Sequence, residues 1–187
     1  MPTSPAQAPA ALTVAIIGAG VAGRSFALAC AKSGLNVVLE DVMPARLRKA
    51  EEELASLGRS VTLVLTVEDA VREADVAIDF VPDELESKLE IWSMIDRMAP
   101  PRTIMLTPSE ALSITDLASC TYRPDRCLMV RGMLPGGSKV RLLTARATSS
   151  TSIALGSDCL QRLGYQVIAE HDPDLPMLLK NMNSSTL

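Results

Sequence analysis

The sequence predicts an α/β fold in which helices cover both faces of a mostly parallel, doubly wound sheet. Short apolar segments alternate along the chain with amphipathic ones, as is typical of strands that alternate with helices. A glycine-rich turn joins the first apolar segment to the first amphipathic one. A chain of 187 residues with 48% hydrophobic residues can also bury the core that such a fold requires.

Eight short segments predict strands, because β-branched and aliphatic residues follow one another in them with few polar interruptions. Gly18 ends the first segment, and a Pro-Gly-Gly-Ser turn at 135–138 separates the sixth from the seventh. In chain order, the predicted strands are residues 13–17, 36–40, 61–65, 75–81, 103–107, 127–133, 140–144 and 166–169.

Six segments between these strands predict helices, and residues that favour helix boundaries mark most of their ends. The first helix ends at Gly34, and Pro44 opens the second at a first-turn position. Pro100 and Pro101 end the fourth helix, and Gly164 ends the last. The predicted helices are residues 21–32, a segment that starts at 44, 67–74, 84–98, about 113–118 and 150–163.

We expect one domain over residues 12–175, with a flexible tail at 1–11 and, at 176–187, a tail or the start of a truncated helix. The first residues lack the charged and apolar regions of a signal peptide. The longest apolar runs are interrupted by Gly, Asp or Arg within about a dozen residues, so we expect no transmembrane helix.

The charge and the cysteines disfavour several classes of partner. The formal net charge is −4, and binding to nucleic acid or an anionic membrane depends on an excess of Lys and Arg. The four cysteines form no C-x-x-C pair, and the chain has one histidine, so we expect no metal site. Apolar neighbours predict that the cysteines are reduced core thiols of a cytoplasmic protein.

The segment from Gly18 to Gly23 carries the strongest functional signal, since it joins a predicted strand to a predicted helix. Gly18 can form the tight turn, Gly20 lets a pyrophosphate approach the backbone, and Gly23 lets the helix pack close to the strand. The first helical N–H groups, at Val21 and Ala22, would face the phosphates. These features predict a Rossmann-type dinucleotide site. The alternative is a tight turn whose glycines serve packing only.

Asp41 lies 21 residues after Gly20, where an acid that binds the ribose is expected. Its carboxylate can accept hydrogen bonds from both ribose hydroxyls of NAD and would repel the 2′-phosphate of NADP. We therefore predict NAD, although Arg46 and Arg48 are close enough in sequence to leave NADP open. Glu40 is a second candidate acid, but strand alternation predicts that it points to the opposite face.

Four stretches of the chain, in order, resemble the NAD-binding domain of the 3-hydroxyacyl-CoA dehydrogenases. They are 14–23 with 37–41, 74–79 leading into 84–92, 103–118 followed by 123–126, and 163–164 followed by 174–181. The first is common to many families, whereas the order and spacing of the last two are more specific. The resemblance implies an NAD-dependent oxidoreductase of fatty acid metabolism that acts on small 3-hydroxyacyl or 3-oxoacyl substrates.

The chain departs from this family at the positions that carry its chemistry. When the sequences are aligned on Leu112, the family's catalytic serine falls on Glu110. Its catalytic histidine falls on Arg131, and the glutamate that orients this histidine falls near Leu143. The family's asparagine is retained as Asn181. The resemblance therefore implies Arg131, Glu110 and Asn181 as candidate catalytic residues.

These departures change the chemistry that the site can perform. An imidazole takes up a proton near neutral pH, whereas the guanidinium of Arg131 is already protonated. Arg131 is then either a fixed cation for a carboxylate or carbonyl, or a structural arginine paired with Glu110 or Asp79. His171, the single histidine, is either a displaced base or a solvated side chain.

Lys88 and Glu84 lie near the start of the fourth predicted helix. In the family, an acid and a lysine at this place approach the nicotinamide ribose and the acyl chain, which makes Lys88 a candidate cofactor residue. On a solvated helix face it would have no such role. The family also has a helical domain after its asparagine, which forms the dimer. We therefore expect a homo-oligomer or a partner subunit to complete the cleft.

Three functions remain open at this stage. The first is an NAD-dependent oxidoreductase with an altered catalytic site, acting on a small hydroxy or oxo acid that is free or carried on a thioester. The second is a catalytically degenerate NAD(H)-binding module that acts as a sensor or subunit. The third is a structural protein without a ligand, against which the glycines and Asp41 argue.

Overall fold

A computed structural model describes residues 12–55 and 61–173, and the predicted tails at 1–11 and 176–187 lie outside them. All eight predicted strands are present: β1 (Thr13–Ile17), β2 (Asn36–Glu40), β3 (Thr62–Val64), β4 (Val76–Asp79), β5 (Ile104–Pro108), β6 (Cys127–Arg131), β7 (Lys139–Thr144) and β8 (Gln166–His171). The six predicted helices are α1 (Val21–Lys32), α2 (Pro44–Leu54), α3 (Val67–Val71), α4 (Leu85–Met98), α5 (Ile114–Ser119) and α6 (Ser150–Arg162).

The sheet has the doubly wound architecture that the sequence predicts. Its strands lie in the order β3-β2-β1-β4-β5-β6-β7-β8. All neighbouring strands are parallel except β6 and β7, which are antiparallel. The chain builds outward from β1 through β2 and β3 and then returns to the other side of β1 with β4. Ligands of open α/β sheets bind outside the carboxyl ends of the strands at such a reversal.

Helices cover both faces of the sheet, as predicted. On one face, α1, α2 and α6 pack through an apolar cluster that includes Phe26 and Leu160. On the other face, α3, α4 and α5 pack through a cluster that includes Trp92 and Leu117. Burial of the central strands from both sides explains why their sequences are almost continuously apolar.

The last strand is longer than predicted. β8 continues through His171, which pairs with Thr144 of β7, so His171 lies in an edge strand and not in a loop after it. Most side chains of β8 are exposed, and hydrogen bonds to β7 rather than apolar burial define its length. None of the helices in the two described ranges is long and apolar enough to cross a membrane.

Helix α1 packs very close to the turn that precedes it. A Cβ atom on Gly23 would lie 1.9 Å from the carbonyl oxygen of Gly18. Gly18 has a φ of 100°, which only glycine adopts readily. This close approach places the N-terminus of α1 beside the carboxyl end of β1, as the glycine pattern predicts.

We expect Gly23→Ala to destabilise the fold by about 2 kcal/mol or more, because the added methyl group meets backbone that cannot rotate away. The measurement is urea unfolding followed by circular dichroism. Gly20→Ala is the matched control, since a Cβ there meets no heavy atom within 4 Å and the φ of −65° suits alanine. The control should lose at most about 1 kcal/mol, the usual difference between these residues at an N-cap. Equal stability of the two variants would contradict the close packing.

Candidate functional site

A cleft of about 390 Å³ opens at the carboxyl edge of the sheet, at the reversal of strand order. Gly18 lines it from the end of β1, and Glu40 and Asp41 line it from the end of β2. Apolar side chains such as Phe80 and Ile91 form other parts of the wall. An apolar cleft with a few polar groups is typical of a small-molecule site.

The glycine turn presents an uncapped helix N-terminus. Gly20 is the N-cap residue of α1, and within the described chain no side chain caps this end and no acid lies in the first turn. Val21 and Ala22 of that turn are exposed, and a Cβ on Gly20 would project into open space. The free N–H groups and the helix dipole can therefore be approached by a negatively charged group such as a pyrophosphate.

Asp41 follows β2 and is bonded to the glycine turn. Its Oδ2 accepts a hydrogen bond from the Ala19 N–H at 2.9 Å and lies 3.3 Å from Nη1 of Arg46. Its Oδ1 accepts a hydrogen bond from the Met43 N–H at 2.8 Å. Hydrogen bonds to an ionised acceptor are among the stronger ones in proteins. The carboxylate of this predicted ribose-binding residue therefore has a defined position in the wall of the cleft.

Glu40 lines the same cleft as Asp41, although strand alternation predicts opposite directions for them. The reason is that Glu40 is the last residue of β2, and alternation no longer applies to Asp41 beyond the strand end. Burial, and then the neighbouring charge of Asp41, raise the pKa of Glu40 to about 7, partly opposed by a hydrogen bond from the Gly18 backbone. Near neutral pH, Glu40 is therefore a mixture of its neutral and charged forms.

Lys88 is buried beneath the carboxyl edge of the sheet, so the alternative of a solvated helix face is wrong for it. Its side chain is 1% exposed, and its Nζ donates to Asp79 Oδ1 at 2.7 Å and to the carbonyl oxygen of Pro108 at 3.0 Å. Trp92 Nε1 donates to the other carboxylate oxygen of Asp79 at 2.9 Å. An ammonium group has three donors, of which two have partners within residues 12–55 and 61–173.

Arg131 and Glu110 lie beside a second cleft, of about 290 Å³, at the carboxyl end of β6. Arg131 Nη2 donates to the carbonyl oxygen of Leu112 at 2.8 Å. Glu110 Oε1 accepts a hydrogen bond from the Gly132 N–H at 2.7 Å. Neither Glu110 nor Asp79 forms an ion pair with Arg131 in the described part of the chain. The structural pairing considered for this arginine is therefore absent there.

His171 lies toward the opposite edge of the sheet from both clefts. It pairs with Thr144 of β7. Thr144 is three residues beyond Arg141, the residue of β7 that lies opposite Arg131. Its Nδ1 lies 3.0 Å from the Thr144 hydroxyl. Because β6 and β7 are antiparallel, this end of β7 is the amino edge of the parallel strands. The interpretation of His171 as a displaced base in the cleft is therefore wrong.

Leu143 and Asn181 stand at two other family positions, and the structure bears only on Leu143. Leu143, near the place of the family's orienting acid, is buried in an apolar cluster and has no role in proton transfer. Asn181 lies outside the described residues, and its candidate role stays a prediction. Across residues 12–55 and 61–173, no three His, Cys, Asp or Glu side chains are grouped to hold a metal ion.

Sequence reasoning missed two supports of the site. Arg24 of α1 donates to the carbonyl oxygen of Ala19 at 2.9 Å and pairs with Glu53 of α2, which braces the glycine turn. No sequence signal identifies this contact, because it depends on how the two helices are placed. The second support is the bonding of Lys88 and Trp92 to one acid. The i, i+4 spacing of these two donors on a helix that follows a buried strand was the available signal.

Known proteins are similar to this chain over most of its length. Residues 13–172 match the family model described as 3-hydroxyacyl-CoA dehydrogenase, NAD binding domain. A probable 3-hydroxybutyryl-CoA dehydrogenase of Bacillus subtilis is 26% identical over 179 residues, which cover 85% of this chain and 62% of the relative. A 3-hydroxybutyryl-CoA dehydrogenase of Bradyrhizobium diazoefficiens is 28% identical over 178 residues, covering 85% and 61%.

A solved structure is similar over the same region. The crystal structure of (S)-3-hydroxybutyryl-CoA dehydrogenase from Ralstonia eutropha matches with a TM-score of 0.80 at 27% identity, covering 87% of this chain and 64% of that one. The chain thus spans about three fifths of the length of the relatives that it matches.

The raised pKa of Glu40 predicts a pH dependence of stability. Between about pH 4.5 and pH 7 the unfolded chain loses this proton while the folded chain keeps it, so rising pH destabilises the fold. Glu40→Gln removes this penalty, and its stability relative to the wild type should rise from pH 5 to pH 8, by up to roughly 3 kcal/mol. Urea unfolding across this range measures the effect.

The control for Glu40→Gln is Glu51→Gln, which removes the same charge from an exposed position on α2. A difference between wild type and Glu40→Gln that stays constant from pH 5 to pH 8 would disprove the raised pKa.

Proposed function

The chain belongs to the 3-hydroxyacyl-CoA dehydrogenase family through its NAD-binding domain, and we propose that it takes part in hydride transfer between NAD and a small 3-hydroxy or 3-oxo acyl substrate. The observation that carries the proposal is the uncapped N-terminus of α1, which follows a turn whose Gly18 lines a cleft together with Asp41. Such an arrangement offers a positive helix end for a pyrophosphate and an acid for a ribose.

We call the first cleft, which Gly18 and Asp41 line, the nucleotide cleft, and we assign the parts of NAD to it and to the adjoining turn. The pyrophosphate lies against the backbone of Gly20, Val21 and Ala22, where no Cβ projects from the N-cap. Gly18 and Gly23 support this position by allowing the close approach of α1. These residues form the phosphate-binding part of the site.

Asp41 binds the adenosine ribose. Its two carboxylate oxygens each accept one backbone hydrogen bond, from Ala19 and Met43, and can accept further ones from the ribose hydroxyls. Arg46, which is bonded to Asp41, lowers the cost of a second negative charge at this place. We therefore expect discrimination against NADP to be present but moderate. Lys88 supports the nicotinamide end, because its bond to the Pro108 carbonyl oxygen places its ammonium at the end of β5.

NAD, when bound, supplies the hydride acceptor or donor. Arg131 keeps its protons at working pH, so it does not take a proton from the substrate, and it holds a carbonyl or carboxylate oxygen instead. Glu110 is the proton acceptor among the described residues that line the second cleft, and we assign to it the substrate hydroxyl proton. Asn181 is proposed as a further hydrogen-bonding residue from the family motif alone.

A second candidate function is a catalytically degenerate NAD(H)-binding module that acts as a sensor or subunit. The observation in its favour is that Arg131 and Leu143 occupy the places of the family's histidine and glutamate, while the single histidine lies at the other edge of the sheet. Loss of a general base typically lowers a rate by a factor of about 10² to 10⁴. A module of this kind would bind NADH and show no turnover.

We further propose a homo-oligomer or a partner subunit that covers the carboxyl edge. Val42, which lines the nucleotide cleft, is 76% exposed, and Met133, which follows β6, is 69% exposed. For a cytoplasmic location we rely on the four cysteines, all of which are free thiols. Cys120 is exposed, so the expectation of a core thiol is wrong for it. Burial raises the pKa of both Cys127 and Cys159 to about 12. These thiols remain protonated and unreactive at neutral pH.

We expect the purified chain to bind NADH and Gly20→Val to abolish this binding, because the new side chain fills the place of the pyrophosphate. Energy transfer from Trp92, the single tryptophan, to NADH measures binding, with calorimetry as a check. Val21→Ala is the control, since it keeps the approach to the turn open. Binding that survives in a folded Gly20→Val protein would remove the pyrophosphate from this turn.

Asp41→Asn should narrow the difference in affinity between NADH and NADPH by roughly tenfold, because it removes the negative charge that repels a 2′-phosphate. Asparagine retains an acceptor oxygen for the backbone N–H groups, which Asp41→Ala would not. The two dissociation constants are measured by titration. A preference that is unchanged in both variants would show that Asp41 does not contact the ribose.

Turnover distinguishes the two candidate functions. The chain is mixed with NADH and a panel of 3-oxo acids and their thioesters, and the loss of nicotinamide absorbance is followed. Turnover that Glu110→Gln reduces by about 10² or more supports the oxidoreductase. NADH binding without turnover on any member of the panel supports the degenerate module.

A further inference from the structure

Three of the six described residues that line the second cleft, at the carboxyl end of β6, are cations. Arg131, Lys139 and Arg141 line it, and Glu110 is the one acid among its described lining residues. It opens at the same edge of the sheet as the nucleotide cleft, because β4, β5 and β6 are parallel. A molecule that extends from the nucleotide cleft across the end of β5 would therefore reach these cations.

The register of the β6–β7 pair concentrates positive charge on one face. Arg131 lies directly opposite Arg141, and opposed side chains of antiparallel strands lie on the same face about 5 Å apart at Cβ. Lys139 lies two residues before Arg141 and so projects from that face as well. Like charges in such positions destabilise a sheet. Among the described residues, one exposed ion pair offsets this repulsion, between Arg141 and Glu170 at 3.2 Å.

The fold also leaves part of Arg131 without a partner. Its Nη2 donates to Leu112, but its Nε is buried and has no hydrogen-bond partner within the described ranges. The buried hydroxyl of Thr107, on the same face of neighbouring β5, likewise has none there. Buried polar groups in proteins are rarely left unsatisfied. Thr107 does not line the cleft. The evidence for a ligand there is the unpaired donor of Arg131 and its opposition to Arg141, which together indicate an anionic ligand with oxygen acceptors.

We infer that this cleft binds the carboxylate of a free hydroxy or oxo acid, with Arg131 and Arg141 as the groups that recognise it. A guanidinium presents parallel donors that match the two oxygens of a carboxylate, whereas a thioester carbonyl is neutral and offers a single oxygen. The inference deepens the proposed function and rests on it for the position of the reacting carbon. Binding of the carboxylate itself requires no NAD.

The test is ligand-observed NMR titration of the purified chain, at low salt and without NAD, with 3-hydroxybutyrate, its methyl ester and coenzyme A as separate probes. The free acid should bind and the neutral ester should not. Arg131→Gln should weaken binding of the acid at least about tenfold, and Arg141→Gln about threefold or more. Arg131→Lys, which keeps the charge and loses the paired donors, should fall between wild type and Arg131→Gln.

Arg162→Gln is the matched control. Arg162 on α6 is 40% exposed and pairs with Asp158, much as Arg141 is 51% exposed and pairs with Glu170, but it does not line the cleft. This control should bind the acid like the wild type. Thermal melting of each variant establishes that it is folded, and Arg141→Gln, at an exposed position, keeps the test valid if Arg131→Gln unfolds.

Four outcomes would overturn the inference. They are no binding of the free acid, equal binding of acid and ester, binding of coenzyme A without the free acid, and unchanged acid binding in both Arg131→Gln and Arg141→Gln. NADH titration of the same samples separates this result from the proposed function. Acid binding without NADH binding would retain the carboxylate site and reject the proposed function. NADH binding without acid binding would reject the carboxylate site and retain the proposed function.

Discussion

The close approach of Gly23 to the carbonyl oxygen of Gly18 is the contact on which the nucleotide end of the molecule depends. A side chain at position 23 would push α1 away from the end of β1. With glycine there, the N-terminus of α1 begins directly after the turn and stays uncapped, and the Ala19 N–H reaches the carboxylate of Asp41. One steric constraint therefore sets the turn, the helix N-terminus and the acid relative to each other.

A buried ion pair connects this nucleotide end to the second cleft. Asp79 ends β4, and Lys88 bonds both to Asp79 and to the carbonyl oxygen of Pro108 at the end of β5. Charges buried at this depth are strongly destabilising when one partner is removed, so the two must remain paired. The ends of β4 and β5, which separate the clefts, are thereby held together. A lysine that would be mobile on a helix surface becomes a fixed part of the sheet edge.

Arg131 keeps the place at the end of β6 that the family's histidine has, but its side chain has a different chemistry. Strand β6 places residue 131 at the same edge of the sheet as the nucleotide cleft. A guanidinium, however, recognises oxygen anions and does not accept protons. Leu143, buried in the apolar cluster of β7, agrees with this change, because an imidazole would need an acid there to orient it. Family membership thus shows an NAD-binding domain, and we propose that the cations of β6 and β7 bear on which substrate is recognised.

The sequence by itself determined the strands, the helices, the glycine turn and the family, because apolar periodicity, helix-boundary residues and local motifs are properties of neighbouring residues. Tertiary structure alone decided where β2 ends, and with it the direction of Glu40, as well as the burial of Lys88 and the position of His171 at the opposite edge of the sheet. Each of these depends on contacts between residues far apart in the chain. Asp79 could be recognised as a buried acid from its strand, but its choice of Lys88 over Arg131 required the packing of α4 against the sheet. The opposition of Arg131 and Arg141 likewise follows from strand register, which residue composition does not encode.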